Sequence, residues 1–232
     1  MAAATLDRRR ARSTRVLLDA AGRLFAERGF SRTTVERIAR EADVAVGTIY
    51  GNFGGKRGLY LAAVDRALEV QERYVAAVYG AGLPPAEEVV AVGAAYVRFY
   101  REHPGQFRLL AMPPLEPDEA PGREAAEAIQ RRVDLGMARM AQSIERAVAE
   151  GTIRPVPSLA AARFLMAALN GTVALNLLPG VLRVDGEELE DVVGVAFRTI
   201  AEGLASAPWR GPDTGLSPEA ERRLGRLVTG EE

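Results

Sequence analysis

Apolar residues recur at intervals of three and four almost from one end of this 232-residue chain to the other, and no stretch alternates with the period of two that a half-buried strand requires. The spacing predicts an all-α protein. Helices are expected at about 14–28, 34–42, 46–53 and 56–79, then at 85–102, 106–111, 123–150, 158–178 and 187–207. Ser13 is the expected cap of the first and Gly29 its left-handed stop, while Thr33 and Glu36 have the spacing of a capping box for the second. Asp43, Val44 and Ala45 form a tight break, after which Ile49, Tyr50 and Phe53 are expected to face inward. Pro85 suits the first position of its helix, Ser158 the cap of another, and Ser217-Pro218 can start a short tenth helix in the tail.

Composition removes several kinds of chemistry. With no cysteine there is no disulfide framework, thiolate zinc site or thiol nucleophile. The single His103 rules out a His–His metal site, and next to Pro104 it reads as a helix-end residue favourable to the dipole. Paired acids such as Glu87-Glu88 and Glu187-Glu188 open expected helices, where acids belong, and no G-x-S-x-G, phosphate-loop or metal spacing occurs. No enzyme, metal or cofactor is expected. The first fifteen residues lack the apolar run of a signal peptide. The most apolar stretch, 164–178, is interrupted by Asn170 and Asn176 and falls short of the ~18 residues of a membrane span. The expectation is a soluble cytoplasmic protein with no membrane partner.

The formal charge of −1 conceals a gradient: residues 1–60 carry twelve bases against six acids, and the remainder eighteen against twenty-five. A basic head on an acidic body points to an anionic partner at one end. Within that head, the two short helices 34–42 and 46–53, joined by a three-residue turn and backed by 14–28, have helix-turn-helix spacing.

Residues 33–53, TTVERIAREADVAVGTIYGNF, strongly resemble the DNA-binding domain of the TetR family of bacterial transcriptional regulators; LFAERGF at 24–30 and KRGL at 56–59 extend the resemblance over roughly 11–71. FYREHP at 99–104, GTIRP at 151–155 and the Asn170-Gly171 pair resemble, more loosely, C-terminal features of the same family. The resemblance implies three parts: a DNA-binding domain at 11–71, a helical effector-binding and dimerisation domain at 72–209, and a tail at 210–232. It also implies a homodimer bound to a double-stranded palindromic operator, with a small molecule releasing the DNA. A rival keeps the fold without ligand control, as an architectural or division-linked DNA-binding factor.

DNA contacts are implied at Thr34, Arg37, Ala45, Val46, Gly47, Thr48, Tyr50, Asn52, Phe53 and Lys56. Tyr50 would pack and offer its hydroxyl to a phosphate, and Lys56 would hold a phosphate jointly with a helix N-terminus. The chain departs from the family pattern in useful ways. Ala45 replaces a frequent serine cap, Val46 a usually polar residue, Asn52 a frequent His or Tyr, and Gly51 carries no side chain. Few groups are left for hydrogen-bonded base readout: Thr48, Asn52, and Val46 against a thymine methyl. Arg8, Arg9, Arg10, Arg12 and Arg15 precede the first expected helix, and such an arm could enter a minor groove or serve as a solubilising tail.

In the body, 158–178 and 187–207 are the most apolar helices, and the resemblance makes them a four-helix interface with a second copy. Tyr74, Tyr96, Phe99, Tyr100, Phe107, Met112, Met137, Met140, Phe164, Met166 and Asn170 are the candidate walls of an effector pocket. Aromatic rings and methionines with few charges favour a lipophilic effector.

Overall fold

The computed structural model describes residues 2–111, 123–178, 180–211 and 215–229, with side chains from Ser13 onward except Pro208. Among these residues there are ten α-helices, three short 3-10 turns and no strand. The helices are α1 (Ala2–Arg28), α2 (Val35–Glu41), α3 (Val46–Phe53), α4 (Lys56–Tyr79), α5 (Pro85–Glu102), α6 (Pro104–Ala111), α7 (Arg123–Ala149), α8 (Ser158–Ala174), α9 (Gly186–Leu204) and α10 (Pro218–Thr229). The chain divides into two compact units, Met1–Gln71 with His103–Arg131, and Glu72–Glu102 with Arg132–Glu232.

In the first unit, α1 begins at Ala2 and not near 14, so Ser13 lies inside the helix and caps nothing. Residues 2–12 contain neither Gly nor Pro and are rich in Ala and Arg, both strong helix formers, so nothing there breaks the helix. The helix stops at Gly29, whose φ of 77° is left-handed and whose N–H donates to the Phe25 carbonyl at 2.9 Å. One apolar core gathers Leu17, Ala21 and Leu24 of α1, Val35 and Ile38 of α2, Ile49 of α3, Leu59 and Ala63 of α4, and Leu109 of α6. Phe25 and Tyr60 belong to the same core, and Phe30 packs against it; Phe25 stacks on Phe30 and both meet Tyr60 edge-on, with centroids 5.2–5.8 Å apart. Burial pushes the Tyr60 phenol up to about 12.

In the second unit, α5 is buried on most of its surface, by Val89, Val92, Tyr96, Phe99 and Tyr100 among others. A Cβ on Gly93 would stand 3.1 Å from Phe197 of α9 and 3.2 Å from Leu169 of α8, so this glycine lets α5 approach both helices closely. The expected boundaries shift in several places. Helix α6 starts at Pro104, two residues early, because proline suits a first turn and the His103 carbonyl accepts from Phe107 N–H at 2.9 Å. Ser158 is the first residue of α8, not its cap; Pro157 holds that place and no side chain caps the helix.

Regular α-helix ends at Ala174, continuing as a 3-10 turn to Leu177. The combined stretch Ser158–Leu177 spans 20 residues and contains an 18-residue window with a mean hydropathy of 1.4, long and apolar enough by length and composition to cross a membrane. That corrects the shorter apolar run read from the sequence, although Ala162, Leu165, Leu169 and Val173 are buried in this unit. Helix α9 ends at Leu204, earlier than expected, because Ala205 turns out to bridge Ile153 in antiparallel fashion. The guanidinium of Arg154 donates to the Gly203 carbonyl and that of Arg210 to the Ala205 carbonyl, satisfying the helix end.

The short helix α10 does form, capped by Ser217, whose hydroxyl accepts from Ala220 N–H at 3.3 Å. It packs on α5 and α9, with Leu216, Ala220 and Ala205 at the contact.

Candidate functional site

The site builds from α1 toward α3. Thr33 is wholly buried, and its hydroxyl bonds the Leu24 carbonyl at 3.1 Å and the Gly29 carbonyl at 2.8 Å. Thr33 is therefore spent on α1, and the cap of α2 is Thr34, whose oxygen accepts from Arg37 N–H at 3.3 Å. This displaces the expected capping box by one residue. The turn after α2 is tight: Val44 N–H reaches the Ala39 carbonyl at 2.9 Å, and Asp43 adopts a left-handed φ of 52°. Such a φ is uncommon outside glycine but tolerated by Asp.

Ala45 stands at the cap of α3 and supplies no side-chain hydrogen bond, as the missing hydroxyl predicts. Val46, Ile49 and Phe53, spaced three and four apart, turn toward the core. Tyr50 does not: its side chain is 54% exposed, contrary to the inward packing expected, because it lies ~100° around the helix from Ile49. Thr34, Arg37, Ala45, Gly47, Thr48, Gly51 and Asn52 are exposed too. At the far end Gly54, with φ 71°, closes α3 by donating to the Tyr50 carbonyl. The Lys56 ammonium lies 3.4 Å from the Ser31 carbonyl and 4.3 Å over the Phe30 ring, fixed at the start of α4. Of the proposed arm, the side chains of Arg8, Arg9, Arg10 and Arg12 lie outside the described residues; Arg15 is exposed.

The effector candidates separate. Phe107, wholly buried, belongs to the first unit; Tyr74, Tyr96, Phe99, Tyr100, Met137, Met140, Phe164 and Asn170 belong to the second. Met112 lies outside the described residues. Tyr96 is buried and donates its hydroxyl to Asn170 Oδ1 at 2.5 Å, which ties α5 to α8; burial raises its pKa. Tyr74 is half-buried, stacks edge-on to Phe99 at 5.8 Å and donates to Glu102, the hydrogen bond that chiefly raises its pKa. Met140 lies in the core with Val89, Ile144 and Leu165, whereas Met137 and Met166 are half-buried. Phe164 is 63% exposed on the outer side of α8, near Leu159, Ala160, Ala167 and Gly171, which are exposed as well.

One buried polar cluster escaped the sequence reading. Glu88, a first-turn acid by position, is only 4% exposed and accepts from Ser143 Oγ at 2.5 Å and from Arg146. Its signal was present: residues 88, 92, 95 and 99 form one stripe at helical spacing, so position 88 falls on the buried face. Its neighbour Glu87 pairs with Arg223 of α10 at 2.7 Å.

Two short helices across a left-handed turn, the first capped by Thr34 and the second exposing one face, define an all-α protein of the helix-turn-helix class. The family model for bacterial regulatory proteins of the tetR family matches residues 17–63, and that for the tetracyclin repressor-like C-terminal domain matches residues 89–193. The chain belongs to the TetR family. It is 24% identical over 190 residues to the HTH-type transcriptional regulator YerO of Bacillus subtilis (strain 168). That match covers 79% of this chain and 62% of YerO, less than two thirds of the relative's length. Among solved structures, the ketosteroid transcriptional regulator KstR2 of Mycobacterium tuberculosis superposes with a TM-score of 0.65 at 20% identity, covering 82% of this chain and 93% of its own. AibR in complex with isovaleryl coenzyme A and operator DNA gives 0.65 at 18%, covering 79% and 96%.

Proposed function

We propose that this protein is a ligand-released repressor that binds a palindromic operator as a homodimer. The observation that carries the proposal is α3, a helix fixed at both ends whose outer face (Gly47, Thr48, Tyr50, Gly51, Asn52) is exposed within the basic part of the chain. Helix α2 crosses the phosphate backbone through Thr34 and Arg37, α3 enters the major groove, and Lys56 with Tyr50 holds phosphates. DNA binding is assigned to 11–71 and effector binding with dimerisation to 72–209. An α-helix is about 10–12 Å across with its side chains, wider than a minor groove of ~6 Å, so Arg15, exposed on α1, is assigned to phosphates.

The exposed face of α8 around Phe164, together with Val195 of α9, supports pairing with a second copy, since so apolar a surface otherwise faces water. The Tyr96–Asn170 pair among buried aromatic rings supports a lipophilic effector with one neutral polar group. The ketosteroid regulator among the similar structures agrees with that class, whereas the coenzyme A thioester in the AibR complex is polyanionic and does not. The reading assigns it to the cytoplasm, as a regulator and not an enzyme.

Selection of genomic fragments by the purified protein tests the reading. Enrichment of a palindrome with half-sites about one helical turn or slightly more apart is expected. Recovery of unselected DNA would overturn it, and light scattering that returns a 24.9 kDa particle at micromolar concentration would overturn the dimer.

A further inference from the structure

Resting on the DNA-binding reading above, we infer that α3 reads A·T base pairs, through thymine 5-methyl groups and the adenine edge, and does not read guanine. Its sequence, VGTIYGNF, contains no charged side chain, and all twelve bases of residues 1–60 lie elsewhere. Guanine presents two acceptors, O6 and N7, to the major groove, and its strong bidentate partners are Arg and Lys. Neither is on α3. What α3 does expose is the Thr48 methyl and hydroxyl, the Tyr50 ring and the Asn52 amide, with Val46 half-buried beside them. An amide that donates and accepts side by side matches adenine N7 and N6. The thymine methyl is the one apolar group in the groove and matches Thr48 and Val46.

The two glycines sharpen the point. A Cβ on Gly47 or Gly51 would meet nothing within 4 Å, so the fold does not require glycine at either position. One turn apart, they leave a strip without side chains where the backbone can come close to base edges, within contact range of methyl groups. Charge outside α3 thus supplies attraction that is independent of sequence, and the uncharged surface of α3 supplies discrimination.

The test uses two random-sequence duplex pools, one synthesised with thymine and the other with uracil, selected in parallel by the full-length protein. From the thymine pool, A·T pairs are expected beneath α3. Replacing each contacted thymine by uracil in the recovered duplex should weaken binding about fourfold, the worth of one buried methyl. Thr48→Ser, which removes a methyl and keeps the hydroxyl, should reduce that thymine-to-uracil difference at one position. Gly51→Arg, placed in open space and favourable to a helix, should recruit guanine, and the base that changes marks the position beneath α3. Guanine beneath α3 in the wild-type selection, or equal binding of thymine and uracil duplexes, would overturn the inference while leaving DNA binding intact. No enrichment from either pool would overturn the DNA-binding reading as well.

Discussion

The carbonyl of Phe53, the last residue of α3, occupies the space that a side chain on Gly58 would need: a Cβ there would stand 1.8 Å from the Phe53 oxygen. The end of α3 thus rests against the first turn of α4, and the obstacle is backbone, which cannot rotate aside. Gly58→Ala must push α3 and α4 apart. A loss of about 2–3 kcal/mol in urea unfolding is expected, with a larger relative loss of DNA retardation in gels, since α3 itself is displaced. Wild-type stability in this variant would contradict so close a contact.

Glu88 carries a second prediction. Glu88→Ala leaves a cavity and takes from buried Ser143 its shortest hydrogen bond, leaving the longer one to the Arg139 carbonyl at 3.3 Å, so a destabilisation of about 2 kcal/mol is expected. Arg146 is half in solvent, so little of that loss comes from the ion pair. Glu88→Gln keeps an acceptor for Ser143 and should cost less. Denaturant titrations of the two variants compare them directly.

Alkaline pH should weaken the fold. The buried Tyr60 phenol rises from 10.0 to about 12, so the folded state keeps its proton where the unfolded chain has lost it. The contribution is complete below pH 10 and lost as pH rises toward 12. At pH 11 it amounts to about 1.4 kcal/mol. Urea midpoints at pH 8 and pH 11 measure the fall, and Tyr60→Phe should make it shallower. Tyr79, also raised to about 12 by burial, adds in the same direction.

The C-terminal helix has a built-in reporter. Arg223 of α10 sits 5.1 Å over the ring of Trp209, the one tryptophan in the chain, while pairing with Glu87 and Glu219. Arg223→Ala should change Trp209 emission and lower stability by about 1 kcal/mol, given that the Arg223 side chain is about one third exposed. Unaltered fluorescence would mean that α10 does not hold Arg223 against the ring.

The all-α class, most helix positions and the helix-turn-helix motif are legible in local sequence. Apolar spacing of three and four, with stops at Gly29, Gly54 and Gly151, is local information, and α2, α3, α4, α5 and α7 fall within a residue or so of the expected positions. The tertiary structure decided what each face is for. Thr33 and Thr34 are equivalent as sequence, and only the carbonyls of α1 beside Thr33 make Thr34 the cap. Tyr50 looks like Ile49 in an apolar pattern, but the eight-residue α3 presents one side to a core built by α1, α2 and α4, which leaves the tyrosine outside. Glu87 and Glu88 are adjacent carboxylates, one meeting α10 and the other α7, partners 136 and 55–58 residues away. Phe107 and Phe99 are similar rings assigned to different units. Periodicity fixes a residue's angle around its own helix; which angle is buried depends on segments distant in sequence, and that is settled only when they pack.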